Sequence, residues 1–318
     1  MSTSPAIIVS SLSKHFGEVP AVDGLSFEVY AGEIFGLVGP DGAGKTTALR
    51  MLAGVLSADS GSAQVAGFDV VRDPEGAKLQ LSYMSQRFGL YEDLTVDENL
   101  RFYADLFGVV RKQREQRSQE LLAAAGLAEF RSRLAGNLSG GMKQKLGLVC
   151  ALIHTPKVLL LDEPTNGVDP VSRRDFWRIL YSLLAEGVAI LTSTSYLDEA
   201  ERCHRVGLLY RGRMLFCDRP EELKKRFPGE ILAVHAAQPA QVRAALAGAP
   251  GVRSALLVGD RVHLFVDQAA RRLPDLRARL ESASVVYDSI QPVAATIEDL
   301  FVSAVESEPE AAGGTKPL

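Results

Sequence analysis

Gly39-Pro40-Asp41-Gly42-Ala43-Gly44-Lys45-Thr46-Thr47 separates two segments of opposite character. Before it, Glu33–Val38 is a short apolar run of strand length; after it, Ala48–Leu56 repeats its apolar residues at helical spacing. The first eight, Gly39–Thr46, match the spacing G-x-x-x-x-G-K-[ST] in the strand–turn–helix context that gives the pattern meaning. Glycines let the backbone curl so that successive N–H groups face inward and cradle phosphate oxygens. The N-terminus of the following helix adds partial positive charge. In such a loop Lys45 reaches the β and γ phosphates, and the Thr46 hydroxyl holds Mg²⁺. The reading therefore calls for ATP and Mg²⁺ as ligands.

A second apolar strand, Val158-Leu159-Leu160-Leu161, delivers Asp162 and Glu163 to its end. Asp162 is placed to bind the Mg²⁺ water shell and Glu163 to polarise an attacking water. Around these motifs strands and helices alternate: a helix over Met142–Ile153, the strand Lys157–Leu161, a helix over Phe176–Glu186 and a strand over Val188–Thr192. That order predicts an α/β fold with a parallel sheet covered by helices. Toward the N-terminus, Ala6–Val9 and Leu25–Val29 read as strands. Arg87–Asn137 reads as an inserted helical subdomain, with helices over Asn99–Phe107 and Gln113–Ala125. The basic run Arg111–Arg117 inside it reads as a solvated helix face.

Past Asp218 the pattern changes. A short helix over Pro220–Phe227 is followed by a strand (Ile231–His235), a helix (Ala240–Ala247), two strands across Gly259-Asp260 (Ala255–Val258, Arg261–Val266), a helix (Arg271–Ser282) and a strand (Ser284–Ile290). This βαββαβ order predicts a small ferredoxin-like α+β domain over 219–305, closed by a helix over Thr296–Val305. Residues 306–318, ESEPEAAGGTKPL, read as a disordered tail.

Charge and cysteine content narrow the function classes. With 35 Lys+Arg against 39 Asp+Glu, net −4, the chain lacks the excess positive charge that releases counterions from nucleic acid. No window approaches the roughly 18–20 uninterrupted apolar residues of a membrane helix. The N-terminus lacks the basic start and long apolar core of a signal peptide. Cys150, Cys203 and Cys217 have neither pairing nor metal spacing, and read as reduced thiols of a cytosolic chain.

Leu138-Ser139-Gly140-Gly141-Met142-Lys143-Gln144, preceding the Asp-Glu strand, makes the set of motifs specific. Over Ile7–Pro220 the chain resembles the ATP-binding subunit of an ABC transporter. The resemblance implies a P-loop NTPase core over 1–218 with an antiparallel β subdomain and the helical subdomain of 87–137. It also implies a dimer, because Ser139, Gly140 and Gly141 would close over ATP held by the opposite subunit. Phe16 matches the aromatic that stacks on adenine. Gln86 matches the glutamine linking γ-phosphate and metal to the membrane partner. Asp169, in Asn166-Gly167-Val168-Asp169-Pro170, matches the carboxylate of the loop crossing the dimer interface.

One position departs from the family pattern. Ser195, in Thr194-Ser195-Tyr196-Leu197-Asp198-Glu199, stands where the family places a histidine on the γ-phosphate. A serine hydroxyl is shorter and carries no positive charge. His204, His15, His154, His235 and His263 read as structural. The finer resemblance is to subunits of ABC-2 type exporters, carried by Gly36–Pro40, Phe88–Asn99, Pro170–Arg174 and the C-terminal unit ending Thr296–Phe301. It implies a separate ABC-2 type permease, a place at the cytoplasmic face of the membrane, and a second ATP-binding subunit that is a copy of this chain or, as Ser195 favours, a different and complete ATPase. Two alternatives stay open: a hydrolysis-impaired regulatory subunit paired with an active ATPase, and a soluble ABC ATPase outside transport.

Overall fold

The computed structural model describes residues 4–87 and 89–307; Phe88, within the quoted exporter-like stretch, and residues 308–318 lie outside it. The chain divides between Pro220 and Glu221 into two compact units.

The first unit opens with a long antiparallel hairpin, β1 (Pro5–Phe16) and β2 (Val19–Tyr30). Both strands outrun their apolar cores. The polar Ser10–Lys14 stretch stays in the ladder because β1 is paired on both sides, and Asp59 accepts hydrogen bonds from Lys14 Nζ at 2.6 Å and from the His15 N–H at 2.7 Å. Next come β3 (Ile34–Val38), buried throughout, and α1 (Lys45–Leu52), which ends short of the expected Leu56. The segment β4 (Ser60–Val65), β5 (Phe68–Asp69), α2 (Pro74–Gln80) and β6 (Leu81–Met84) gave no clear sequence signal. In β4 only Ala63 and Val65 are buried, too few for an apolar pattern to show. One sheet has the order β2-β1-β4-β5.

Helix α3 (Val96–Leu106) begins three residues before its expected start, at a Thr95/Glu98 capping box. Helix α4 (Arg111–Ala124) carries the basic run, with Arg111 on Glu115 at 2.9 Å and Arg114 on Asp105 at 2.6 Å. Then follow α5 (Gly140–Leu152), β7 (Val158–Asp162), α6 (Pro170–Leu184), β8 (Ala189–Thr194), α7 (Leu197–Ala200), β9 (Arg205–Tyr210) and β10 (Arg213–Asp218); α8 (Pro220–Lys224) begins at the last residue of this unit and lies mostly in the second. Helix α6 starts six residues earlier than its apolar spacing suggests: Asp169 caps it and Pro170 fills its first position.

The second sheet has the order β10-β9-β3-β8-β7-β6, parallel except for the β9–β10 hairpin. Its register sets Val38 beside Thr194 and Asp162 beside Ser193. The carboxyl ends of β3, β8 and β7 thus come level, which is where open parallel sheets carry their ligand loops. Phe35, Leu37, Leu49, Leu52, Leu160 and Leu191 belong to the core that joins this sheet to α1 and the β1–β2 hairpin.

In the second unit, β11 (Glu230–His235), α9 (Pro239–Leu246), β12 (Val252–Val258), β13 (Arg261–Val266), α10 (Ala269–Ser282), β14 (Ser289–Val293) and α11 (Ile297–Ser307) build an antiparallel sheet of order β12-β13-β11-β14. This is the ferredoxin-like order. The last strand lies later than expected: Val285 and Tyr287 pack on the core from a loop, and pairing with β11 starts at Ser289. Pro292 is tolerated because β14 is an edge. His263 Nδ1 lies 2.9 Å from the buried Asp299 carboxylate, tying α11 to β13. The residues Glu306 and Ser307, read from sequence as tail, belong to α11.

Candidate functional site

A cleft of about 460 Å³ opens where β3 passes into α1. Asp41, Gly42, Ala43, Gly44, Lys45, Thr46 and Thr47 form its floor, with Phe16, Ala21, Gln86, Glu163 and Asn166 around it. Gly44 takes φ 104°, and a Cβ there would sit 2.2 Å from the Ala21 carbonyl oxygen, so no larger residue fits the bend. Gly39 and Pro40 do not line the cleft. Their carbonyls accept hydrogen bonds from Lys45 Nζ at 2.7 and 3.1 Å.

The Lys45 side chain is 4% exposed, and its ammonium also lies 3.1 Å from Glu163 Oε1. Its three protons thus have three acceptors, and a phosphate oxygen must displace one of them. Glu163 follows β7 with φ 48°, a left-handed conformation that costs a non-glycine residue about 1–3 kcal/mol. Its N–H is held by the carbonyl and hydroxyl oxygens of Ser193, at 3.2 and 3.0 Å. Its Oε2 accepts from Gln86 Nε2 at 3.2 Å and from Asn166 Nδ2 at 3.3 Å.

Asp162, 1% exposed, accepts from Thr46 Oγ1 at 2.9 Å, Ser193 Oγ at 2.8 Å and Tyr83 OH at 3.1 Å. Burial, reinforced by the Asp162 charge, pushes the Tyr83 hydroxyl up to about 12, so it stays a donor at neutral pH. Thr46 and Asp162 form a hard oxygen pair suited to Mg²⁺, which takes few protein ligands when phosphates supply the rest. Among the described residues no group of three or more His, Cys, Asp and Glu converges for a metal.

Asn166, Ser193 and Tyr83 are the contacts that the motifs alone do not single out. Asn166 is returned to Glu163 by a turn in which its N–H donates to the Glu163 carbonyl at 3.2 Å. Ser193 and Tyr83 reach Asp162 only because β8 and β6 flank β7, an adjacency that no local spacing encodes. Phe16 stands at the end of β1, 55% exposed, an aromatic face open to the cleft. Ser195 comes directly after β8, is half-buried and does not line the cleft. His204 faces elsewhere: its Nδ1 accepts from the Ile34 N–H at 3.1 Å.

Ser139, Gly140, Gly141 and Asp169 also lie outside the cleft. Ser139 caps α5, accepting from the Met142 N–H at 3.3 Å. Gly141 packs on α6 so closely that a Cβ would lie 2.3 Å from Ser172 Oγ. Asp169 accepts from the N–H groups of Ser172 and Val171 at 2.9 and 3.0 Å, which hold its carboxyl below the usual carboxylate range. Ser139 and Gly140 are exposed.

The family model described as ABC transporter matches residues 22–166. Nod factor export ATP-binding protein I of Burkholderia thailandensis is 37% identical over 304 residues, covering 95% of this chain and 97% of that protein. The chain belongs to the ABC transporter ATP-binding family. Another member, the probable multidrug ABC transporter ATP-binding protein YbhF of Escherichia coli, is 48% identical over 269 residues, which are 83% of this chain and 46% of that protein. The chain therefore spans about half the length of that relative. Daunorubicin resistance ATP-binding protein DrrA2 of Streptomyces coeruleorubidus is 34% identical over 302 residues, 93% of this chain and 94% of the relative.

Solved ABC cassettes share the fold. A structure of the ATP binding subunit of an ABC transporter aligns with TM-score 0.65 at 30% identity, over 70% of this chain and 93% of the other. The ADP conformation of an ABC transporter's ATP-binding cassette aligns with TM-score 0.63 at 26% identity, over 69% of this chain and 93% of that one.

Proposed function

We propose that the chain is the ATP-hydrolysing subunit of an export system, binding MgATP in the cleft below Phe16. The observation that carries this reading is the convergence of Lys45, Thr46, Asp162 and Glu163 where β3 and β7 end. Lys45 offsets the charge of the phosphates, and the loop N–H groups hold their oxygens. Thr46 and Asp162, with Gln86, are the residues that would hold Mg²⁺; the ion neutralises phosphate charge when bound. Glu163 orients the attacking water and draws its proton. Phe16 offers its face to the adenine ring.

The exposed Ser139–Gly140 edge supports pairing with a second ATP-binding subunit, each signature closing the cleft of the other. Among the described residues no helix is long and apolar enough to cross a membrane. In this reading the passage belongs to a separate ABC-2 type permease, with the chain at its cytoplasmic face. The relatives named for Nod factor export, multidrug transport and daunorubicin resistance support export without choosing a cargo.

Ser195 favours a second reading, in which the chain binds ATP but turns it over slowly beside a faster partner. Glu163→Gln tests the main proposal. MgATP binding should persist while steady-state hydrolysis falls by about 10²–10⁴, the usual worth of a positioned general base. Wild-type turnover in that variant removes Glu163 from its role.

A further inference from the structure

The loop after β8 lacks an imidazole, yet its next residue reaches the site. Tyr196 OH donates to Asn166 Oδ1 at 3.2 Å, and Asn166 Nδ2 donates to Glu163 Oε2 at 3.3 Å. The polarity of this relay is set by the Glu163 carboxylate, which only accepts, and the Tyr196 hydroxyl holds it by donating to the amide oxygen. A hydroxyl proton on the amide oxygen leaves the amide NH₂ facing the carboxylate; the opposite orientation sets two acceptors against each other.

Tyr196 is itself anchored at both ends. Its N–H donates to Thr194 Oγ1 at 3.0 Å, and its ring lies 4.6 Å from the Arg173 guanidinium. Both anchors lead to Glu199, only 1% exposed, which accepts from Thr194 Oγ1 at 2.8 Å and faces Arg173 Nε at 3.7 Å. Glu199 also accepts from Thr165 Oγ1 at 2.6 Å, so one buried carboxylate fixes both Tyr196 and the residue preceding Asn166.

We propose that Tyr196 is a positioning residue for hydrolysis: it holds the Asn166 amide in the orientation that aims Glu163 at water. The proposal rests on Glu163 acting as the base. It assigns to Tyr196, acting through Asn166, part of the control over the site from the loop where Ser195 stands.

Tyr196→Phe keeps the ring on Arg173 and removes only the hydroxyl. With the full chain, kcat for MgATP should fall about 5–10-fold, the worth of one hydrogen bond, at unchanged KM. Added to Glu163→Gln, the same substitution should cost nothing further. A second measurement does not depend on turnover. The chain has three asparagines, Asn99, Asn137 and Asn166, so ¹⁵N-asparagine labelling gives three side-chain amide signals. The Asn166 pair should shift in both Tyr196→Phe and Glu163→Gln, while the other two stay in place. Unchanged kcat in Tyr196→Phe, an equal loss on the Glu163→Gln background, or an unmoved Asn166 signal in Tyr196→Phe overturns the proposal. Wild-type turnover in Glu163→Gln alone would instead overturn the proposed function, and the amide signals would still report whether Tyr196 orients Asn166.

Discussion

The cleft around Lys45 and the edge around Ser139 carry the same kind of element, a glycine-containing turn entering a helix, and differ in what surrounds it. In the cleft three polar side chains each meet a carboxylate from the end of β7: Lys45 with Glu163, Thr46 with Asp162, Gln86 with Glu163. At the Ser139 edge the helix is capped by its own serine, and the glycine beside it faces open space. The first is assembled within one chain, and in the proposed reading a phosphate oxygen displaces one of the three acceptors around Lys45. The second has its helix N-terminus exposed at the surface, which in the proposed reading is where a second subunit's nucleotide would sit.

Breaking the wired side should give the largest effect. Lys45→Ala strips three acceptors of their shared donor and leaves Glu163 buried without its cation. Losing one partner of a buried charged contact costs about 2–5 kcal/mol, so MgATP affinity should fall by up to about 10³-fold in a calorimetric titration. Near-wild-type affinity would mean that the wiring around Lys45 does not serve phosphate.

Ser195→His sharpens the contrast from the loop after β8. Restoring a donor that can carry charge should raise turnover by about 10²-fold, because one preorganised contact to developing charge is worth roughly 2.7–4 kcal/mol. The check is steady-state ATPase of both chains, alone and with a partner ATPase. Equal rates would show that Ser195 does not limit the site.

The smallest expected effect is none. A chain ending at Pro220 should bind MgATP with the affinity of the full chain, since every residue lining the cleft precedes that point. The titration is repeated on a truncation shown by circular dichroism to be folded; weakened binding there would tie the second unit to the cleft.

Legibility followed the range of the interactions. The loop 39–47, the strand leading to Asp162 and the βαββαβ order of the second unit are local patterns, and the periodicity of apolar residues displays them. Helix starts were misplaced where a cap precedes the apolar stripe, as at Thr95 and Asp169, because capping is a backbone contact and not a hydrophobic one. Strands β4 and β5 stayed hidden because a mostly polar strand is held by its ladder rather than by burial.

By itself the sequence determined the chemistry available: a candidate phosphate loop, a candidate magnesium carboxylate and base, and a serine where the family keeps an imidazole. Tertiary structure decided which of these meet. It set β8 between β3 and β7, bringing Ser193 onto Asp162, and it carried Tyr196 to Asn166 and Asn166 to Glu163. It also kept Ser139 away from the cleft of its own chain. Strand order and side-chain hydrogen bonds between residues tens of positions apart follow from how whole elements pack, and no local spacing records them.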